Sequence, residues 1–210
     1  MLALHLFLAH TVADYSFTNP MKLYGEGSSW AILKHAAWFA VVFLAFTFDT
    51  VFSSGYGITL FFGSLVLHGL IDCLRFKNKK VWWVETVSWL SFLAIGIFSS
   101  VFFTGSYITP AFAMYLVGMV SVSVIPTQIF RMIGWIPKME NESDGISERL
   151  AIFIFILALN WPLALASIGC GLSYRLIFRK MTPPLWWVSP TLGIAVSLLF
   201  RWVIYRSFSF

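Results

Sequence analysis

Histidine and aspartate recur at a four-residue spacing in two segments of this chain that are otherwise apolar. His10 and Asp14 lie in HLFLAHTVADY, and His68 and Asp72 lie in LVLHGLIDC. Because residues four apart share one face of an α-helix, each imidazole can point into the same space as its carboxylate. A third histidine, His35, lies in LKHAAWF. Imidazole and carboxylate together are ligands for zinc, iron or manganese, so these five residues form a candidate site for a divalent metal.

The segments that must position these residues are apolar enough to cross a membrane. Of the 210 residues, 59% are hydrophobic and 11% are charged, whereas soluble domains have about 25% charged residues. A spanning helix needs about 20 apolar residues. The sequence therefore predicts an all-α, polytopic membrane bundle that forms a single domain over residues 1–210, with about 6–8 transmembrane segments.

Apolar runs that end at proline, glycine or charged residues predict the individual spans. Near the middle of the sixth run, Asn160, Trp161 and Pro162 predict either one broken helix or a hairpin of two short helices. The expected runs are, in order, about Leu2–Phe17, Trp30–Phe52, Ile58–Phe76, Trp82–Phe103, Ala111–Trp135, Ile146–Lys180 and Leu185–Tyr205.

Basic residues after the third run predict the orientation in the cell (inner) membrane. Arg75, Lys77, Lys79 and Lys80 lie together in RFKNKK, whereas the loops SSGYG and TGSYITP have no lysine or arginine. Since short cytoplasmic loops are enriched in basic residues, RFKNKK is expected to be cytoplasmic and the N-terminus outside. This orientation places the three helices with the candidate ligands at one depth, near the cytoplasmic face.

Helix packing is the competing explanation for the polar residues. Ionisable groups in a bilayer face the bundle interior and need a partner, which is either a metal ion or a hydrogen-bonding group of another helix. The matched depth of the two pairs and the third histidine favours a functional site. His5 lies five residues before His10, so it is expected to point elsewhere. Glu85 either completes the site or pairs with Lys79 or Lys80.

A second group of charged residues begins in GISERL. Glu148 lies in the first turn of the sixth segment, where it either stabilises the helix end or acts as a general base. Asp72 is the other candidate catalytic carboxylate. Arg175 and Arg179 either extend to the headgroup region of the bilayer or, together with Arg149, bind a phosphate or lipid headgroup beside the His/Asp site.

The order of these motifs resembles a bacterial and phage membrane family, the domain of unknown function 3307. The resemblance extends from about residue 5 to about residue 200 and implies a polytopic membrane protein with polar residues inside the membrane. The family usually has glutamine where Thr18 stands. The residues that match its motifs are, in chain order, His10, Asp14, Tyr15, His35, His68, Asp72, Gly145, Glu148, Arg149, Arg175 and Arg179.

Three functions remain open on the sequence. A metal-dependent hydrolase or transferase would act on an anionic lipid or another phosphate-bearing membrane substrate. A transporter of a proton, ion or small solute would use the intramembrane ionisable groups and the broken segment, with a homo-oligomer supplying the second half. A non-catalytic scaffold would use the His–Asp pairs for helix packing. The net charge of +5 suits anionic lipid and does not indicate a nucleic-acid partner.

Overall fold

The computed structural model describes residues 2–19, 29–77, 81–137, 140, 142–179 and 184–207, and this part is helical without a strand. Two π-helical turns, Val12–Ser16 and Arg175–Arg179, continue the first and seventh helices. The α-helices are α1 (His5–Thr11), α2 (Ser29–Val51), α3 (Gly55–Lys77), α4 (Val81–Phe98), α5 (Pro110–Met132), α6 (Ser143–Leu157), α7 (Trp161–Tyr174) and α8 (Leu185–Ser207).

Five helices in the described residues are long and apolar enough to cross a membrane, and α4 is a shorter apolar helix. The prediction of an all-α membrane bundle is therefore confirmed. The fourth apolar run was expected to reach Phe103, but α4 ends at Phe98 and residues 99–106 form successive turns. The hydrogen bond from the Ser99 hydroxyl to the Ile95 carbonyl, 2.7 Å long, lies at this helix end. The five long segments are Trp30–Val51, Gly55–Lys77, Pro110–Met132, Trp161–Phe178 and Leu185–Arg206.

The break predicted in the sixth apolar run lies between α6 and α7. Leu159 has a φ of 58°, which takes the backbone out of the right-handed helical region. The Asn160 side chain then accepts a hydrogen bond from the Leu163 amide at 3.3 Å and caps α7. Pro162 fits the first turn of α7, where its missing N–H is not needed. The run is therefore two helices that pack on each other.

The packing divides the chain into two compact units, Met1–Val117 and Gly118–Phe210, which are described separately below. In the first unit α1 packs against α2 and α4, and α3 packs against the same two helices. Every residue of α1 is buried. In the second unit α6 packs against α7 and α8, around the buried residues Ile152, Ile156 and Ala164.

Candidate metal centre

Three charged or polar residues of α3 point into the interior of the first unit. His68, Asp72 and Arg75 are each fully buried. Their spacings of four and three residues place them on one face of the helix. Lys77, two residues further on, is exposed because the helix has turned it away. One helix face therefore supplies an imidazole, a carboxylate and a guanidinium to the same space.

The structure brings all five predicted metal ligands together. His10 and Asp14 come from α1 and the π-helical turn after it, and both are fully buried. His35 comes from α2 and is 8% exposed. Asp14 Oδ1 lies 3.6 Å from His35 Nε2 and 3.5 Å from His68 Nε2. His68 Nε2 is also 3.5 Å from Asp72 Oδ2.

Arg75 lies at the centre of the acidic residues, and the sequence analysis missed this role. Its guanidinium donates to Asp14 Oδ2 at 2.5 Å and to Asp72 Oδ1 at 2.8 Å. It also donates to both oxygens of Glu85 at 2.9 Å. From the sequence alone, Arg75 is interpreted only as a member of the basic loop RFKNKK. Its spacing from Asp72 and His68 is the signal that could have identified it, since residues three and seven apart share a helix face.

Glu85, on α4, was expected either to complete the site or to pair with Lys79 or Lys80. In the structure its partner is Arg75, whereas Lys79 and Lys80 lie outside the described residues. The Tyr15 hydroxyl donates to Glu85 Oε2, and Trp89 Nε1 donates to the Tyr15 oxygen at 2.7 Å. Glu85 thus accepts hydrogen bonds from Arg75 and Tyr15, which hold its carboxylate in an ion pair with the arginine at the edge of the centre.

The two aspartates of the cluster carry more negative charge than Arg75 alone balances. The carboxylates of Asp14 and Asp72 both pair with the guanidinium of Arg75, which Glu85 also binds. With neutral imidazoles, the two aspartates and the arginine leave one negative charge without a positive partner among the described residues. Because buried charge without compensation costs several kcal/mol per group, the centre favours a further positive charge.

Several ligand atoms of the cluster have no hydrogen bond to any residue that the structure describes: His10 Nδ1, Asp14 Oδ1 and both ring nitrogens of His68. The separations between candidate ligand atoms, 3.5–3.7 Å, are too long for direct hydrogen bonds. They match the roughly 3.3–3.6 Å between ligand atoms of a tetrahedral metal with bonds of about 2.0–2.2 Å. The residues therefore fit a divalent cation.

Aromatic rings form the walls of the centre. The His68 ring stacks on Phe39 with centroids 4.0 Å apart, and the His10 ring stacks on Phe92 at 4.1 Å. Ser88 Oγ lies 2.9 Å from His10 Nε2 and fixes that nitrogen. Phe39 and Phe92 are fully buried, so they exclude water and restrict both imidazoles to one orientation.

His5 has a separate environment, as the sequence analysis expected. Its Nε2 lies 2.7 Å from the Ile108 carbonyl oxygen, and its ring stacks on Phe103 at 5.2 Å. A ring nitrogen that donates to a carbonyl and a stacked aromatic face are typical of a histidine that serves packing. His5 therefore connects α1 to the segment that contains Phe103 and Ile108, and it contributes no atom to the candidate metal centre.

The charged residues that begin at GISERL form a cluster inside the second unit. Arg149 is fully buried and donates to the Val122 and Ser123 carbonyls, both at 2.8 Å. These carbonyls lie four and three residues before Pro126, which has no N–H to donate to Val122 in α5. Arg149 thus replaces a helix hydrogen bond that proline removes. Its remaining N–H groups bind Glu142, Thr127 and Ser189.

The other predicted residues of this cluster are paired within the unit. Glu148 forms an ion pair with Arg175. Arg175 also donates to Ser189 Oγ at 2.9 Å and to the Leu185 carbonyl at 3.1 Å. The side chain of Arg179 lies outside the described residues. The predictions that these arginines bind an anion and that Glu148 is a general base stay predictions.

Comparison with known proteins adds no relative to this description. No protein-family model, no curated protein and no solved structure matches the chain. The resemblance to the domain of unknown function 3307 therefore stays a prediction from the motifs. Any function proposed for the chain must come from the chemistry of its own residues, above all from the centre around Arg75.

Proposed function

We propose that this chain is an integral membrane protein that binds one divalent cation in the centre formed by His10, Asp14, His35, His68 and Asp72. The observation that carries the proposal is the group of buried imidazole and carboxylate atoms without hydrogen-bond partners among the described residues, beside two aspartates that share one guanidinium. One divalent cation supplies positive charge and bonds to those atoms.

The ligand chemistry favours zinc, iron or manganese. Imidazole nitrogens suit zinc and iron, and a mixed set with carboxylate oxygens also admits manganese. Magnesium and calcium prefer sites built from oxygen ligands alone. Because the ligands bind in their deprotonated forms, a bound ion keeps the imidazoles neutral inside the membrane.

We further propose that the cation serves catalysis on a lipid or another phosphate-bearing membrane substrate. Such an ion polarises a phosphoryl oxygen and makes bound water a nucleophile near neutral pH. Three of the five candidate ligands, His35, His68 and Asp72, lie on α2 and α3, which are long and apolar enough to cross a membrane, and this placement favours a substrate that is itself in the bilayer. The inner membrane, the outside N-terminus, a homo-oligomer and anionic-lipid binding by Arg149, Arg175 and Arg179 belong to the same proposal.

Metal analysis of the purified protein tests the central step. The wild-type chain, purified after growth with added zinc, iron and manganese, is expected to retain about one equivalent of metal after gel filtration, in keeping with tight binding at imidazole-rich sites. His68→Ala is expected to lose that metal. His5→Ala is the matched control, because it removes a buried histidine that lies outside the centre. A wild-type protein without metal under these conditions contradicts the proposal.

Proton or ion transport is the second candidate, and one observation favours it. Protons on the imidazoles would also supply positive charge, and the hydrogen bond of 2.8 Å between His35 Nδ1 and Asp72 Oδ2 joins a pair of groups that can share a proton. Proton flux into liposomes that contain the purified protein, lost in Asp72→Asn, would support transport over the enzyme. A scaffold would show neither metal nor flux.

A further inference from the structure

The two aspartates of the centre are bound differently by their neighbours. Both oxygens of Asp72 have strong donors: His35 Nδ1 lies 2.8 Å from Oδ2, and Arg75 Nη1 lies 2.8 Å from Oδ1. Asp14 gives only Oδ2 to Arg75, and its Oδ1 has no hydrogen bond among the described residues. Asp14 therefore has an oxygen to offer a cation, whereas Asp72 must first give up a partner.

The histidines divide in the same way. His10 has Nε2 fixed by Ser88 and Nδ1 without a hydrogen bond to any described group, and neither nitrogen of His68 has one. Ligand atoms of His10, Asp14 and His68 form one candidate group within 4.8 Å of one another, in which Asp14 Oδ1 lies 3.5 Å from His68 Nε2. Ligand atoms of His35, His68 and Asp72 form an alternative group within the same limit, but that group contains the carboxylate that is already bound twice.

We infer that His10, Asp14 and His68 hold the metal, and that His35 and Asp72 form a hydrogen-bonded pair beside an open coordination position. The inference rests on the proposed metal binding and assigns a separate role to each of the five residues. A set of two histidines and one carboxylate leaves room for water or a substrate oxygen, as catalytic metal sites require.

The geometry of His35 supports this division. Its Nδ1 donates its proton to the Asp72 carboxylate, so Nε2 of the neutral ring carries a lone pair. That nitrogen lies 3.6 Å from Asp14 Oδ1 and 3.5 Å from the Thr18 hydroxyl oxygen, whose proton is directed at the Ala13 and Asp14 carbonyls at 2.7 and 2.8 Å. Two acceptor atoms such as His35 Nε2 and Asp14 Oδ1 repel at this distance unless a cation or a proton donor lies between them. Water on the metal would donate to Nε2 and remove the repulsion.

A cation held by His10, Asp14 and His68 would lower the pKa of a bound water. His35 Nε2 would accept a proton from that water, while the electron pair of the broken O–H bond would stay on the water oxygen. Asp72, which accepts a hydrogen bond from His35 Nδ1, would stabilise the protonated ring and is a positioning residue. His35 is also the most exposed of the five residues, at 8%.

Cobalt substitution tests the ligand assignment on the full chain in detergent. Co²⁺ bound to the wild type is expected at one equivalent, with visible absorption typical of four ligands. Asp14→Asn, His68→Ala, and both His10→Ala and the isosteric His10→Gln are expected to weaken binding more than 100-fold. His35→Gln and Asp72→Asn are expected to keep one equivalent at saturating Co²⁺, with affinity lowered by about 10-fold to 100-fold, as for partners of metal ligands.

Azide tests the open position. Addition of azide is expected to change the visible spectrum of the cobalt protein, because a small anion enters an open coordination position. An unchanged spectrum means that four protein atoms already fill the coordination sphere, which overturns the inference. Loss of metal in Asp72→Asn and His35→Gln with retention in His10→Gln overturns it as well, while the proposed metal binding stands. Absence of metal from the wild type defeats the proposed function itself.

Discussion

Two fully buried arginines organise the two units of this protein in opposite ways. Arg75, in the first unit, gives all of its described hydrogen bonds to carboxylates. Arg149, in the second unit, divides its bonds among two backbone carbonyls, two hydroxyls and Glu142. A buried arginine therefore gathers carboxylates in the first unit, whereas in the second unit it replaces a hydrogen bond that a helix lacks.

The ion pairs separate the two clusters further. In the second unit, Arg149 pairs with Glu142 and Arg175 pairs with Glu148, so each described arginine has its own carboxylate. In the first unit one guanidinium is shared by Asp14, Asp72 and Glu85. Paired charges of the first kind are explained by the fold, whereas aspartates that share one arginine beside imidazoles are the arrangement on which the proposed cation site rests.

The largest expected effect comes from removal of Arg75. Arg75→Ala leaves three buried carboxylates without their guanidinium, and loss of one partner of a buried ion pair costs about 3–5 kcal/mol. We expect this variant to unfold at a much lower temperature in detergent or to fail to fold. Lys77→Ala, on the exposed side of the same helix, is the matched control and should be neutral. A stable Arg75→Ala protein would show that the carboxylates are not charged.

Metal removal is expected to have the next largest effect, and only on the first cluster. An ion present at about 100 times its dissociation constant stabilises the folded state by about 2.7 kcal/mol. Treatment with a chelator should therefore lower the unfolding temperature of the wild type by several degrees. His68→Ala, which lacks a ligand, should not respond. Equal shifts in both proteins would mean that the chelator acts elsewhere.

The second cluster offers a double-variant test of the helix-completion role. Arg149→Met removes the donors to Val122 and Ser123, and we expect the loss to be partly restored by Pro126→Ala, which returns an N–H to α5. The double variant should recover about 1 kcal/mol, the net value of one hydrogen bond. Thermal unfolding of the two single variants and the double variant measures this coupling.

The Arg149 variants also test whether the two clusters are independent. Because Arg149 is paired with Glu142 in the second unit, folded Arg149→Met should still bind one equivalent of metal. Loss of metal from a folded Arg149→Met protein would show that the second cluster affects metal binding in the first unit. No gain from Pro126→Ala in the Arg149→Met background would show that the proline does not set the role of Arg149.

Most of the helical architecture could be predicted from the lengths of the apolar runs in the sequence. Long apolar runs can only be buried as membrane helices, so α2, α3, α5 and α8 were placed within a few residues of their observed ends. The end of α4 was misplaced because the turns after Phe98 are built from residues as apolar as the helix itself. Hydrophobicity alone does not separate a turn inside a protein from a helix.

The candidate ligand residues could be predicted from the sequence because histidine and aspartate are rare in apolar helices. The role of Arg75 at the centre was missed because an arginine near a helix end usually lies at the membrane boundary. The sequence alone does not show which face of α3 points into the bundle. The role of Arg149 could not be predicted for a different reason. Its partners include backbone carbonyls near Pro126, more than twenty residues away in the sequence, and no pattern of side chains predicts such contacts.

The smallest expected effect belongs to the histidine that lies outside both clusters. His5→Phe keeps the ring that stacks on Phe103 and removes the hydrogen bond to Ile108, so we expect a loss of about 1 kcal/mol. Metal content should remain at one equivalent, because His5 supplies no ligand. Metal analysis and thermal unfolding of the same preparation measure both quantities. If folded His5→Phe lost its metal, replacement of a buried histidine that is not a candidate ligand would be enough to disturb metal binding in the first unit. The ligand variants could then no longer be interpreted one residue at a time.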